Sequence, residues 1–129
     1  MPKDAKILVL VIDDNDGIRT SLTILLQAKG YAVITALDGA EGFAQYEKHQ
    51  PQIVMSDMIM PGHQGVDTIA KIRLANCEIP IIAMSGSIED GPSSFFDKAR
   101  DAGANIYLSK PFELPELLAA LAQAAGQIA

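Results

Sequence analysis

Ala5-Lys-Ile-Leu-Val-Leu-Val-Ile12 runs directly into Asp13-Asp14-Asn15-Asp16. A nearly unbroken apolar, β-branched run of this kind reads as a strand buried on both faces. Asn15-Asp16 then supply helix-cap chemistry, and Ile18, Leu22, Leu25 and Leu26 keep helical spacing until Gly30 stops the helix. The same strand-then-helix cycle recurs four times. Tyr31 to Leu37 predicts a strand, and Asp38-Gly39 opens a helix carrying Phe43 and Tyr46. Gln52 to Ser56 predicts the third strand, and Gly65 to Ala75 a helix with Ile69 and Ile72 on one side. Ile79 to Met84 and a helix over Ser93 to Ala102 follow, then Asn105 to Leu108 and a last helix over Leu114 to Ile128. The predicted core stripe of that last helix is Leu114, Leu117, Leu118, Leu121, Ala125 and Ile128, with a nearly uncharged Ala and Gln face opposite.

Five strand–helix units with short connections predict an α/β fold, a doubly wound parallel sheet with helices on both faces. Right-handed crossovers leave few topologies, and the flavodoxin-like (βα)5 order 2-1-3-4-5 is the expected one. At 129 residues the chain suits one domain, expected over 1–129 with no effector domain in this chain. Ten Lys plus Arg face sixteen Asp plus Glu, a net charge of −6, and each half of the chain carries five bases and eight acids. The absence of a basic cluster argues against a nucleic-acid or anionic-membrane surface. A single cysteine, Cys77, excludes an intramolecular disulfide and suits a reducing compartment, and no apolar run is long enough to span a bilayer. Met1-Pro2-Lys3-Asp4 shows no cleavage-site pattern. A cytoplasmic location is expected.

Four strand runs finish in polar groups that turn chemistry does not require: Asp13-Asp14, Asp57, Ser85 and Lys110. In a parallel sheet these carboxyl ends share one edge, and in the 2-1-3-4-5 order the first and third strands are neighbours at the topological switch. Asp13, Asp14 and Asp57 are therefore expected to converge, bordered by Ser85 and Lys110. Three carboxylates in one cleft repel unless a cation compensates. Oxygen-only ligands, with no nearby Cys or His, favour Mg²⁺. A carboxylate beside such an ion can attack phosphorus, while an ammonium and a hydroxyl hold the phosphoryl oxygens.

Taken together, Ile12-Asp-Asp, Ser56-Asp57-Met-Ile-Met-Pro61 with Gly65 eight positions beyond Asp57, Ala83-Met-Ser85 and Tyr107-Leu-Ser-Lys110-Pro111-Phe112 resemble a response-regulator receiver domain of the chemotaxis-protein type. The resemblance implies a two-component or phosphorelay signalling domain with no enzymatic turnover beyond its own phosphorylation and dephosphorylation. It implies that Asp57 accepts a phosphoryl group from a histidine kinase or histidine phosphotransfer protein. Asp14 and Asp57 would bind Mg²⁺ (or Mn²⁺), with Asp13 partly through water and Ile59 through its backbone carbonyl. Ser85 would be the switch hydroxyl, Lys110 the phosphate partner and Tyr107 the rotating aromatic, with a cis Lys110-Pro111 bond. The face of the fourth helix, fifth strand and fifth helix would meet a downstream effector or a second copy in a homodimer.

Some positions depart from the family's usual pattern. Ser85 stands where Thr is commoner, Gly86 follows it, and His63-Gln64 precede Gly65. Gly91-Pro92 predicts a late or loose start to the fourth helix, and the last helix lacks the basic residues that one transcription-factor subgroup uses in dimer salt bridges.

Blander readings exist for each residue alone. Asp13-Asp14 could be a helix cap, Ser85 a turn residue and Lys110 a solvated charge. His63 reads as loop polarity, His49 as a helix-end residue and Cys77 as incidental. Three rival functions follow from other classes. An aspartyl-phosphate phosphatase of the haloacid-dehalogenase type would use Asp14-Asn15-Asp16, but leaves Asp57 without a role. A flavodoxin-like cofactor binder needs a Ser/Thr/Gly-rich phosphate loop where this chain has acids. A phosphorylation-independent interaction scaffold would typically have lost an acid or the lysine.

Overall fold

The computed structural model of the protein describes residues 6–58, 64–85, 92–110 and 112–128, leaving aside the side chains of residues 64, 85 and 92–96. Strands and helices alternate as β1 (Leu8–Ile12), α1 (Asp16–Ala28), β2 (Ala32–Ala36), α2 (Gly39–His49), β3 (Ile53–Asp57), α3 (Gln64–Ala75), β4 (Ile81–Ser85), α4 (Pro92–Ala102), β5 (Ile106–Ser109) and α5 (Leu114–Gly126). Every strand pair is parallel, and the order is β2-β1-β3-β4-β5. This is the doubly wound α/β sheet that the alternation predicts.

Consecutive strand residues point to opposite faces, which explains the unbroken apolar runs. Val9 and Val11 join Leu22, Leu26, Met55, Met84, Leu117 and Leu121 in one core layer, beneath α1 and α5. Leu10 and Ile12 join Tyr46, Val54, Ile69, Ile72, Ile81 and Ala99 in the other, beneath α2, α3 and α4. Neither face of β1 offers a position for a polar residue until the strand ends at Asp13.

Local chemistry sets the element ends. The Asn15 side chain caps α1 by accepting from the Ile18 amide at 3.0 Å, and Asp38 caps α2 through the Glu41 amide at 2.8 Å. Gln50 ends α2 in the left-handed region, φ 48°, and returns its side-chain amide to the carbonyls of Tyr46 and Glu47. β4 starts at Ile81, not Ile79, because the Ile79 amide is taken by the Asn76 side chain and Pro80 has no amide to donate. β3 runs one residue further than the periodicity suggests, so Asp57 is a ladder residue paired with Met84.

The last helix corrects the expected stripe. Leu114 is 40 % exposed, whereas Ala120 and Ala124 are buried beside Leu117 and Leu121. Leu114 is the first residue of α5, in a first turn whose Glu113 amide donates to Glu116 Oε1 at 3.3 Å. Alanines in the next two turns bring the helix backbone close to the sheet. α5 stops at Gly126, so Ile128 packs against the core from outside the helix.

Arg73 ties the end of α3 to the turn after α4. Its Nε donates to the Gly103 carbonyl at 2.9 Å and its Nη1 to the Asn76 carbonyl at 3.1 Å. Burial holds this guanidinium below the ordinary arginine value. Gly103, at φ +123°, leaves the room: a Cβ there would lie 2.6 Å from Arg73 Cγ. Charged donors to backbone carbonyls contribute more than neutral ones. Arg73→Met should therefore lower the unfolding free energy by about 1–2 kcal/mol, read as a lower urea midpoint with an unchanged slope. An unchanged midpoint would refute this account of the tie.

Candidate functional site

The carboxyl ends of the strands carry the polar residues. Asp13 directly follows β1, Asp57 ends β3, and Lys110 directly follows β5. Because Ile12 pairs with Ser56, Asp13 and Asp57 lie side by side at the switch between β1 and β3. The Asp13, Asp14 and Asp57 carboxylates each place an oxygen within 4.8 Å of the others. Asp13 is fully buried and Asp57 is 4 % exposed, while Asp14 faces solvent.

Lys110 reaches this group from beyond β5, across β4 to Asp57 and across β4 and β3 to Asp13. Its Nζ is 2.6 Å from Asp13 Oδ2 and 3.5 Å from Asp57 Oδ2. Among the described residues, one ammonium faces three carboxylates, which leaves two formal negative charges. A buried carboxylate is costly unless paired or hydrogen-bonded. Asp13 meets that requirement completely. Its backbone amide donates to Ala36 O at 3.1 Å, Oδ1 accepts from the Asn15 amide at 2.9 Å, and its carbonyl accepts from Arg19 Nη1 at 2.6 Å. The remaining negative charge, the oxygen-only donors and one solvent-facing acid suit a hard divalent cation.

The end of β3 is held from behind. The Asp57 carbonyl accepts from Ser56 Oγ at 3.3 Å, and Gly65 of α3 packs directly against it. A Cβ at Gly65 would lie 2.2 Å from the Asp57 carbonyl oxygen and 2.8 Å from Met58 Cα. Glycine is what allows α3 to start so close to the acid group.

The other expected residues are distributed as follows. The backbone of Ser85 ends β4 and pairs with Ser109, while its hydroxyl lies outside the described residues. Tyr107, on β5 opposite Ala83, is 37 % exposed, and its hydroxyl donates to the Ala104 carbonyl at 3.2 Å. Ile59, His63, Gly86 and the Lys110-Pro111 bond also lie outside the described residues. α4 begins at Pro92, the first-turn position that proline favours. Asp16, the second acid of the phosphatase-type spacing, is not in the acid group; it forms an ion pair with Arg19. Arg19 itself is absent from the sequence reading. Its signal was a cation in the opening turn of a helix, where the macrodipole favours acids.

An apolar groove of about 580 Å³ adjoins the cleft, lined by Asn15, Gly17, Ile18, Ser21, Leu22, Leu25, Lys110 and Phe112. Among the described residues, no helix is long and apolar enough to cross a membrane.

A family model described as the response regulator receiver domain matches residues 9–122. The chain belongs to that family. Receiver domains are signalling modules of two-component systems, and generally accept phosphate. The transcriptional regulatory protein KdpE of Mycobacterium tuberculosis H37Rv is 40% identical over 114 residues, 88% of this chain and 49% of KdpE. PrrA of the same strain is 34% identical over 113 residues, 86% of this chain and 46% of PrrA. The chain thus spans about half the length of the curated relatives it matches. The solved chemotaxis protein CheY4 of Vibrio cholerae has a TM-score of 0.85 at 30% identity, covering 93% of this chain and 99% of that one. A receiver domain protein from Clostridium thermocellum has a TM-score of 0.84 at 29% identity, covering 93% and 94%.

In this receiver domain the Gly65 contact is directly testable. Gly65→Ala forces α3 away from the Asp57–Met58 backbone, and overpacking of this kind costs about 1–3 kcal/mol. The largest amide NMR shift changes should fall at Asp57 and Met58. Shift changes confined to α3, with stability unaltered, would show that the contact does not hold the acid in place.

Proposed function

We propose that the protein is a phosphoaccepting signalling receiver and that Asp57 is its acceptor. One observation carries the reading. Asp57 is nearly buried at a strand end, within 4.8 Å of two other carboxylates, with the Lys110 ammonium 3.5 Å from its Oδ2. A carboxylate held there can act as a nucleophile, with a cation beside the phosphoryl oxygens it would receive.

The transfer conserves atoms simply. An Asp57 oxygen forms a bond to phosphorus as the bond from phosphorus to the donor imidazole nitrogen breaks. The donor histidine leaves with that electron pair, and Asp57 becomes an acyl phosphate. Lys110 moves from Asp13 toward the new phosphoryl group and offsets its charge. Asp13, Asp14, Asp57 and the Ile59 carbonyl would hold Mg²⁺ or Mn²⁺, which supplies charge neutralisation for the carboxylates and phosphoryl oxygens.

The output follows from the same edge. Ser85 ends β4 next to Asp57 and would give its hydroxyl to the phosphoryl group. Tyr107 is two residues before Ser109, the partner of Ser85 in the sheet. Turning the half-exposed Tyr107 ring inward would reshape the α4-β5-α5 face. The phosphoryl group biases this change because only one arrangement offers it a hydroxyl contact. The phosphodonor is a histidine kinase or phosphotransfer protein, for which the groove beside Lys110 offers an apolar approach, and the reader is an effector or a second copy. We place this activity in the cytoplasm, over 1–129 as one receiver unit, with self-catalysed transfer and slow hydrolysis as its only chemistry.

The phosphatase reading loses support because Asp16 pairs with Arg19 outside the acid group. An interaction scaffold would have no use for a buried carboxylate pair around a lysine. Intact mass after incubation with acetyl phosphate tests the proposal. Wild type should gain one phosphoryl group with Mg²⁺ and none without it, and Asp57→Asn should gain none. No adduct on Mg²⁺-loaded wild type would overturn the acceptor reading and favour the scaffold.

A further inference from the structure

We propose that Arg19 is a positioning residue for the acidic pocket, acting through the backbone of Asp13; the link to phosphotransfer rests on the receiver reading above. Arg19 lies one turn into α1, where a cation opposes the helix dipole. Its guanidinium reaches back past the helix start, and Nη1 meets the Asp13 carbonyl at 2.6 Å. Nη2 pairs with Asp16. The two contacts differ in kind. The Asp16 side chain is 90 % exposed, so that ion pair is solvated and worth little. The carbonyl belongs to a fully buried residue and has little access to water.

The consequence follows from the bonds already on Asp13. Its amide is tied to Ala36 and its carboxylate oxygens to the Asn15 amide and to Lys110. With the carbonyl held as well, the peptide unit on each side of the Cα is fixed, and the carboxylate can point only toward Lys110 and the cleft. Removing Arg19 leaves a buried acceptor to be resatisfied, and rotation of the Asp13–Asp14 peptide is the available route. That rotation moves Asp14 and Asn15 and loosens the Asn15 amide from Asp13 Oδ1, which frees the Asp13 carboxylate to turn off Lys110. Groups that orient metal ligands in this way typically change metal affinity by about 10–100-fold when removed.

Arg19→Met, Arg19→Lys and Asp16→Asn separate the contributions. Two readouts are made beside an unfolding curve: Mg²⁺ affinity by calorimetry, and hydrogen exchange of the Asn15 amide in metal-free protein. Arg19→Met should weaken Mg²⁺ roughly tenfold and speed Asn15 exchange by a similar factor. Arg19→Lys, which retains one donor for the carbonyl, should recover most of both. Asp16→Asn should match wild type. If Arg19→Met does not fold, Arg19→Gln, too short to reach the carbonyl, replaces it. Mg²⁺ bound equally or more tightly by the variant, with Asn15 exchange unchanged, would overturn the proposal and leave Arg19 as a repelling charge. Wild type that binds no Mg²⁺ at millimolar concentration would instead count against the phosphoacceptor reading, while the exchange readout would still decide the hold of Arg19 on Asp13.

Discussion

A single ammonium between two buried carboxylates governs how this molecule must be built. Lys110 and Asp13 are 97 positions apart in sequence and 2.6 Å apart in space. A buried carboxylate left alone costs several kcal/mol. The sheet must therefore deliver β5 to the correct side of β4, and β3 to the correct side of β1, before these charges are compensated. Register matters as much as order. A slip of one residue would turn Asp57 toward the opposite core layer and bring an aliphatic side chain to the edge.

The same arrangement explains why a stable core and a charged edge coexist. Both faces of the sheet are filled by aliphatic side chains, so charge is admitted only where strands end. At that edge, among the described residues, one lysine answers three acids. The surplus negative charge is a constraint on stability and attracts cations. The backbone does as much as the side chains here. Gly65 lets α3 begin against the Asp57 carbonyl, and Arg19 grips the Asp13 carbonyl from the other flank.

Much of this was legible in the residues. Alternation of apolar runs with capped, periodic segments sufficed for the sheet order, because right-handed crossovers leave few alternatives. Polar residues at the ends of buried strands located Asp13, Asp14, Asp57 and Lys110, since such runs tolerate polarity only at the edge. Other features depended on packing that periodicity does not carry. Leu114 looks like core by its spacing, yet it is exposed at the first residue of α5. Ala120 and Ala124 look like filler, yet they set the distance between helix and sheet. Ile79 looks like strand, but the Asn76 side chain captures its amide. Arg19 was missed because its partner is a carbonyl, which has no signature in the sequence.

Cys77 lies between the end of α3 and the start of β4, and its thiol is exposed. That junction is at the amino ends of the strands, about 17 Å from the acid group by strand length alone. The chain contains no other cysteine. A maleimide dye or spin label would therefore attach at one defined point on the pole opposite the cleft. Attached there, it would report tumbling, assembly or the approach of a partner without entering the chemistry it monitors.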